Sequence, residues 1–258
     1  MKNSFYFCIF IIAFLLNSCK TDSNSNNESD NDTIIENQLF GNYIIPSELE
    51  YSNHAKEDFY YNKFYPIGWS EDGLFAYISE DADEGSGYYF FKIIIQNLIN
   101  DKIEWEWEPV YSESGDINSI WTENYTMIEN KLKEYKIIQT KNFSLGKTNF
   151  TNSGKQFNIK LNNKTSTNQE YGFDVINSTE VILSSPQLGY KIIYQNKEDD
   201  YSLLLGQIVA GYLLSPHEER IAVIIKNERT GYEGPPNVIY YTITGSNLTE
   251  SFQPETIK

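Results

Sequence analysis

Four carboxylates are gathered in one short stretch of this 258-residue sequence, directly before a Gly-Ser-Gly turn. The stretch is residues 79–87 (SEDADEGSG), and its acids are Glu80, Asp81, Asp83 and Glu84. Oxygen ligands at this density are the kind that Ca²⁺ prefers. The glycine and the final glutamate of an EF-hand loop are replaced here by Ser86 and Lys92. A solvated acidic hairpin tip has the same composition and is the favoured interpretation.

Residues 104–108 (EWEWE) alternate glutamate and tryptophan. In a strand, Trp105 and Trp107 lie on one face and the glutamates on the other. Because indole rings stack on sugars and carboxylates accept hydrogen bonds from hydroxyls, the two tryptophans are candidate ligand-binding residues. The same alternation is typical of a half-buried strand whose tryptophans enter the core, and this simpler interpretation is favoured.

The sequence contains none of the common catalytic motifs. The two histidines, His54 and His217, have no cysteine beside them, which argues against the usual zinc sites. No Gly-x-Ser-x-Gly motif and no phosphate-binding glycine loop occur. A glycosidase needs two carboxylates about 5–10 Å apart across a cleft, and the sequence selects no such pair. We therefore expect a binding or scaffolding protein without catalysis, with a carbohydrate-binding or carbohydrate-active protein as the alternative.

The thiol of Cys19 follows a basic start and an apolar run. Residues 5–16 (FYFCIFIIAFLL) are too few for a membrane-spanning helix, which needs about 20, but they fit the core of a secretory signal. The LNSC motif at residues 16–19 resembles the lipobox of bacterial lipoproteins. This resemblance implies cleavage before Cys19, attachment of diacylglycerol to its thiol, and contact with a membrane through the lipid anchor. Cys8, the only other cysteine, lies inside the apolar run, so cleavage leaves no intrachain disulfide.

Residues 20–33 (KTDSNSNNESDNDT) contain no apolar side chain and are predicted to form a flexible tether. Lys20 follows the cysteine where an aspartate would signal retention, so analogy with lipoprotein sorting favours the outer membrane over the inner one. Asp22 and Glu28 resemble surface-export signals, although an ordinary polar linker has the same composition. We divide the chain into a signal peptide (1–18), a lipidated tether (19–38) and a single β-rich domain (39–258).

The net charge is −16, from 20 basic and 36 acidic residues. Such a surface repels the phosphates of nucleic acids, and only Arg220 and Arg229 supply guanidinium groups. We therefore exclude nucleic acid as a partner, and a protein or a glycan remains.

Short runs of aromatic and β-branched residues alternate with turn residues, which predicts strands. They cover residues 75–79, 88–95, 103–107, 157–161, 181–183, 190–194, 203–209, 221–225 and 238–244. Residues 119–135 differ, because their large apolar side chains recur at helical spacing. These are Trp121, Tyr125, Ile128, Leu132 and Tyr135. We expect a mainly β domain of antiparallel sheets with one amphipathic helix, which Ser119 would cap.

Two stretches share one pattern. Residues 67–78 (IGWSEDGLFAYI) and 212–224 (YLLSPHEERIAVI) both place a serine and a polar turn before an apolar strand that contains alanine. The pattern resembles the hairpin of TolB-like and WD40-like β-propeller repeats, which implies two propeller-like hairpins rather than a catalytic loop. A closed propeller needs at least four blades, and only two copies occur. With the helix and residues 233–236 (EGPP), the pattern also resembles uncharacterised bacterial secreted proteins, which implies no activity.

Overall fold

The computed structural model describes residues 49, 59–85, 90–109, 117–197, 203–232 and 234–254. The predictions for the signal peptide, for Cys19 and for the tether lie outside the described residues. Within them the chain is mainly β-structure with one helix and with almost entirely antiparallel sheets, as predicted.

The strands are numbered in chain order, and the helix α1 (Ile117–Glu134) lies between the fifth and the sixth. They are β1 (Phe59–Tyr61), β2 (Lys63–Trp69), β3 (Leu74–Asp81), β4 (Phe90–Asn97), β5 (Lys102–Trp107), β6 (Ile138–Gln139), β7 (Asn149–Asn152), β8 (Lys155–Thr167), β9 (Asp174–Ser185), β10 (Gly189–Lys197), β11 (Leu204–Leu214), β12 (Arg220–Arg229) and β13 (Asn237–Asn247).

These strands form three sheets. Sheet 1 has the order β5-β4-β3-β2-β6, sheet 2 the order β10-β9-β8-β7, and sheet 3 the order β1-β13-β12-β11. Neighbouring strands are antiparallel except for β1, which pairs parallel to β13. The described sheets do not close into a propeller.

Sheet 3 is the middle layer of the molecule, and β12 shows why. Ile221, Val223 and Ile225 pack against sheet 2, whereas Ala222 and Ile224 pack against sheet 1. Since alternate side chains of a strand point to opposite faces, a strand buried on both faces must be apolar throughout. The unbroken apolar run of β12 is therefore the sequence signal of its central position.

The helix covers the face of sheet 1 that is turned away from sheet 3. Trp121, Ile128 and Leu132 are buried there, as their spacing predicts. Tyr125 departs from that prediction, because it is 48 % exposed and its hydroxyl donates to Glu129 at 3.0 Å. The prediction that Ser119 caps the helix was wrong, because α1 begins two residues earlier at Ile117. Within the described part of the chain, no helix is long and apolar enough to cross a membrane.

Both matching stretches form hairpins, as their shared pattern predicts. In the β2–β3 hairpin, the amide of Leu74 donates to Ser70 Oγ at 2.9 Å. In the β11–β12 hairpin, the amide of His217 donates to Ser215 Oγ at 3.2 Å. The serine therefore closes both turns. Gly73 has a φ of 89°, a left-handed conformation that favours glycine.

Each of the nine predicted strands falls in a strand of the structure apart from end residues, with 88–89 outside the described residues. Four strands were not predicted, namely β1, β2, β6 and β7. In β2 the periodicity is obscured by Pro66 and Gly68, which flank a bulge in its pairing with β3. The other three have four residues or fewer, too short for a periodic pattern.

Candidate functional site

A cleft of about 1020 Å³ opens between sheet 1 and sheet 3. Strands β3, β4 and β5 supply one wall, and β12, β13 and the turn between them supply the other. Ile94 and Tyr241 line the cleft and also pack into the core between the two sheets. The cleft is therefore the open end of a well-packed interface.

The acidic segment forms one rim of this cleft through Asp81, Asp83 and Glu84. The carboxylate of Glu84 is held by sheet 3. Arg229 Nη1 donates to Glu84 Oε2 at 3.3 Å, and Nη2 makes a shorter contact with Oε1. The amide of Tyr232 donates to the same carboxylate at 3.0 Å. These bonds fix the rim against the opposite wall.

Asp81 is fixed from its own side of the cleft. Its Oδ1 accepts a hydrogen bond from Asn62 Nδ2 at 2.7 Å and another from Ser79 Oγ at 2.6 Å. Asn62 Oδ1 in turn accepts a bond from the amide of Ala82 at 2.9 Å. Lys92 Nζ lies 3.8 Å from the other carboxylate oxygen of Asp81. The rim is thus held by side chains of the protein.

The four predicted metal ligands do not converge in the structure. Glu80 pairs with Lys63 at 2.6 Å, and it alternates with Asp81 along β3, so the two side chains point to opposite faces. Asp83 accepts a bond from the amide of Gly85 at 3.1 Å. Among the described residues, no group of three or more His, Cys, Asp or Glu side chains is arranged to hold a metal ion.

Trp105 and Trp107 lie on the opposite side of sheet 1 from the cleft. Both are partly buried against the core under the helix, and the ring of Trp107 stands edge-on to Phe91 at 6.5 Å. Their neighbours on β4 are Ile95 and Ile93. This position corresponds to the simpler of the two interpretations given by the sequence, in which the tryptophans enter the core.

The same alternation turns Glu106 into the cleft, which the sequence did not single out. Ile103 lines the cleft as well, and it is 53 % exposed. Tyr240 on β13 and Tyr232 in the turn before it line the opposite wall. The EWEWE pattern indicates that Glu106 leaves the core, but no signal in the sequence says which sheet stacks against β5.

The negative charge of Glu106 affects the pKa of Tyr77, which is buried below the cleft. Burial is the main cause that raises the pKa of the Tyr77 hydroxyl above its ordinary value, and the negative charges of Glu106 and Asp101 add to it. This hydroxyl donates to Gln96 Oε1 at 3.1 Å, and Gln96 Nε2 donates to the carbonyl of Ile243 at 2.9 Å. A neutral hydrogen-bonded bridge therefore joins sheet 1 to sheet 3.

His217 lies in the turn of the β11–β12 hairpin and not among the cleft residues. No family model, no curated protein and no solved structure matches this chain.

Proposed function

We propose that this chain is a lipid-anchored protein of the bacterial cell envelope whose β domain binds a ligand in the cleft without transforming it. The observation that carries the binding role is the cleft itself, because hydrogen bonds within the protein hold its acidic rim in place. Preformed concave sites that combine apolar walls with a few polar groups are the usual places of ligand binding.

The anchor belongs to the same proposal. Its support is the LNSC motif at residues 16–19, the apolar run before it and the polar tether after it. Lys20 after Cys19 favours placement in the outer membrane. The two serine-closed hairpins are of the propeller type in this proposal, and no cofactor takes part in it.

Carbohydrate is the second candidate ligand. The aromatic side chains of Phe90, Tyr232 and Tyr240 share the cleft with carboxylates, and this combination suits sugar rings and hydroxyls. Trp105 and Trp107 carry no part of this candidate, since they lie behind the cleft wall.

The anchor is tested by growing cells with radiolabelled palmitate. We expect the label in the wild-type protein and not in a Cys19→Ala variant. Label in both proteins, or in neither, would remove the lipoprotein part of the proposal.

The cleft is tested by amide NMR of the full chain in detergent with a panel of oligosaccharides and short peptides. We expect at least one member to shift resonances of cleft residues. An Ile103→Trp variant fills the mouth of the cleft and is expected to abolish those shifts. Ile208→Trp is the matched control, because Ile208 is also 53 % exposed but does not line the cleft. Shifts confined to other surfaces, or equally lost in both variants, would contradict the binding role.

A further inference from the structure

The charges in the cleft are unevenly compensated. Among the described residues of its lining there are two cations, and both already have anionic partners. Arg229 is held by Glu84, and Lys92 Nζ lies 3.8 Å from Asp81 and 3.7 Å from Glu108. A ligand with a negative charge would therefore have to displace an existing ion pair.

Glu106 is the carboxylate of the cleft that is not paired with one of these cations. It is exposed, and it has no hydrogen bond or ion pair with any described residue. Its negative charge acts in a cleft whose cations are neutralised, on a protein with a net charge of −16. Both the local and the overall field therefore attract positive groups.

An exposed aliphatic side chain lies beside this carboxylate. Glu106 pairs with Ile94 and Ile103 pairs with Gln96 on β4, and these partners are two residues apart, so both side chains point to the same face. Ile103 can therefore cover the methylene stem of a lysine or an arginine while Glu106 receives its charged head. Tyr232, which is 89 % exposed, lines the same cleft and can offer an aromatic face to a positive group there.

We infer that the cleft binds a basic peptide segment of a partner protein, with a lysine or arginine side chain paired to Glu106. This inference rests on the proposed binding role of the cleft. A peptide fits better than a single small amine, because a volume of about 1020 Å³ accommodates several residues. A neutral glycan would leave Glu106 without a countercharge.

The test is fluorescence anisotropy of the full chain in detergent with a labelled short peptide of alternating serine and lysine. A peptide with glutamine in place of lysine is the ligand control. We expect the lysine peptide to bind and the glutamine peptide not to bind. Glu106→Gln should weaken binding about fivefold, as expected for a partly exposed ion pair of about 1 kcal/mol.

Glu170→Gln is the matched protein control. Glu170→Gln changes the net charge by the same amount as Glu106→Gln. Glu170 is exposed and lies outside the cleft, so only the overall charge is altered. Its binding constant should equal that of the wild type. Equal weakening by the two variants would mean that only overall charge matters and would overturn the inference, as would absence of binding by the lysine peptide. If oligosaccharides shift cleft resonances while the lysine peptide does not bind, the basic-peptide inference falls and the binding role of the cleft stands.

Discussion

Arg229 forms an ion pair with Glu84 across the opening between sheet 1 and sheet 3. The two residues are 145 positions apart in the sequence, and both guanidinium nitrogens of the terminal fork contact the carboxylate. Through this pair the acidic segment after β3 is tied to the end of β12. The pair therefore sets the position of one rim of the cleft.

Removing this ion pair should make the rim more mobile while leaving the core intact. In Arg229→Ala, we expect backbone amides of residues 82–85 to exchange hydrogen about fivefold faster, because opening of the segment becomes easier by about 1 kcal/mol. Hydrogen exchange with mass spectrometry measures this directly. Arg229→Lys keeps the charge without the two-pronged geometry and should give an intermediate rate. Unchanged exchange in the alanine variant would show that the pair does not hold the rim.

Calcium should not stabilise the domain. Glu80, Asp81 and Glu84 are each engaged by a lysine, by neutral donors or by Arg229, so a metal ion would have to break these contacts. We expect the melting temperature to be the same in millimolar Ca²⁺ and in chelator. A rise of several degrees with Ca²⁺ would contradict this expectation, since a ligand that binds the native state must stabilise it.

Asp101 combines a left-handed backbone with two hydrogen bonds to β13. Its φ is 58°, and its carboxylate accepts bonds from the Thr244 hydroxyl at 2.6 Å and from the Gly245 amide at 2.7 Å. Asparagine tolerates this backbone and keeps an oxygen for the amide. Chemical denaturation at pH 7 should show Asp101→Asn within about 0.5 kcal/mol of the wild type and Asp101→Ala about 2 kcal/mol less stable.

The same site has a pH dependence of known sign. Burial raises the pKa of the Asp101 carboxyl, and this outweighs the hydrogen bonds and the Arg220 charge that lower it. The folded state therefore holds this proton more firmly than the unfolded chain does. The stability that this carboxyl contributes is fully present below its unfolded pKa and is lost as the pH rises through the folded pKa. Asp101→Asn should accordingly gain stability relative to the wild type between pH 4 and 7, and the opposite trend would contradict the assignment.

Lys191 fastens the segment after β13 to sheet 2. Its ammonium group donates to the carbonyl of Glu250 at 2.8 Å and to that of Asn247, and it stands 4.4 Å from the centre of the Phe252 ring. Burial, helped by the charge of Arg220, lowers the pKa of this amine to about 8.

Because the pKa of the Lys191 amine is lower in the folded protein, the unfolded chain holds this proton more firmly. The free energy of unfolding should therefore increase as the pH rises from about 8 to the unfolded pKa of about 10.4. Lys191→Met does not titrate and serves as the reference. Denaturation of both proteins at pH 7.5 and pH 10 should show the wild type gaining stability relative to the variant. A constant or shrinking difference would show that the amine is not perturbed as described.

The strands that the sequence predicts are those whose side-chain pattern is local. Residues 221–225 form such a run, and the turn serines Ser70 and Ser215 mark both hairpins. The spacing of Trp121, Ile128 and Leu132 predicts the helix. Tyr125 fits the same spacing, yet it lies at the margin of the stripe, where its hydroxyl bonds to Glu129 in solvent. Periodicity defines the face of a helix, but not how wide the covered part of that face is.

The cleft depends on relationships that no local pattern contains. Glu106 could be predicted to point away from Trp105 and Trp107, because strand geometry requires it. That Arg229 and Tyr232 would stand on the opposite wall depends on which sheets stack together. Since β12 is apolar on both faces, the sequence implies two covering layers without naming either. Composition alone marks the acidic segment, whereas the partners of its carboxylates depend on the fold.

The parallel pairing of β1 with β13 has a consequence for the order in which the molecule is completed. Three of the four strands in the middle sheet, β11 to β13, are synthesised after every strand of the two outer sheets. Strand β1 is synthesised first, but it can pair only once β13 has been made. A growing chain therefore lacks the central wall on which both outer sheets rest until β13 has left the ribosome. Truncation before residue 237 would remove Ile243 from the core shared with sheet 1 and Leu248 from the core shared with sheet 2, so both interfaces would be weakened at once.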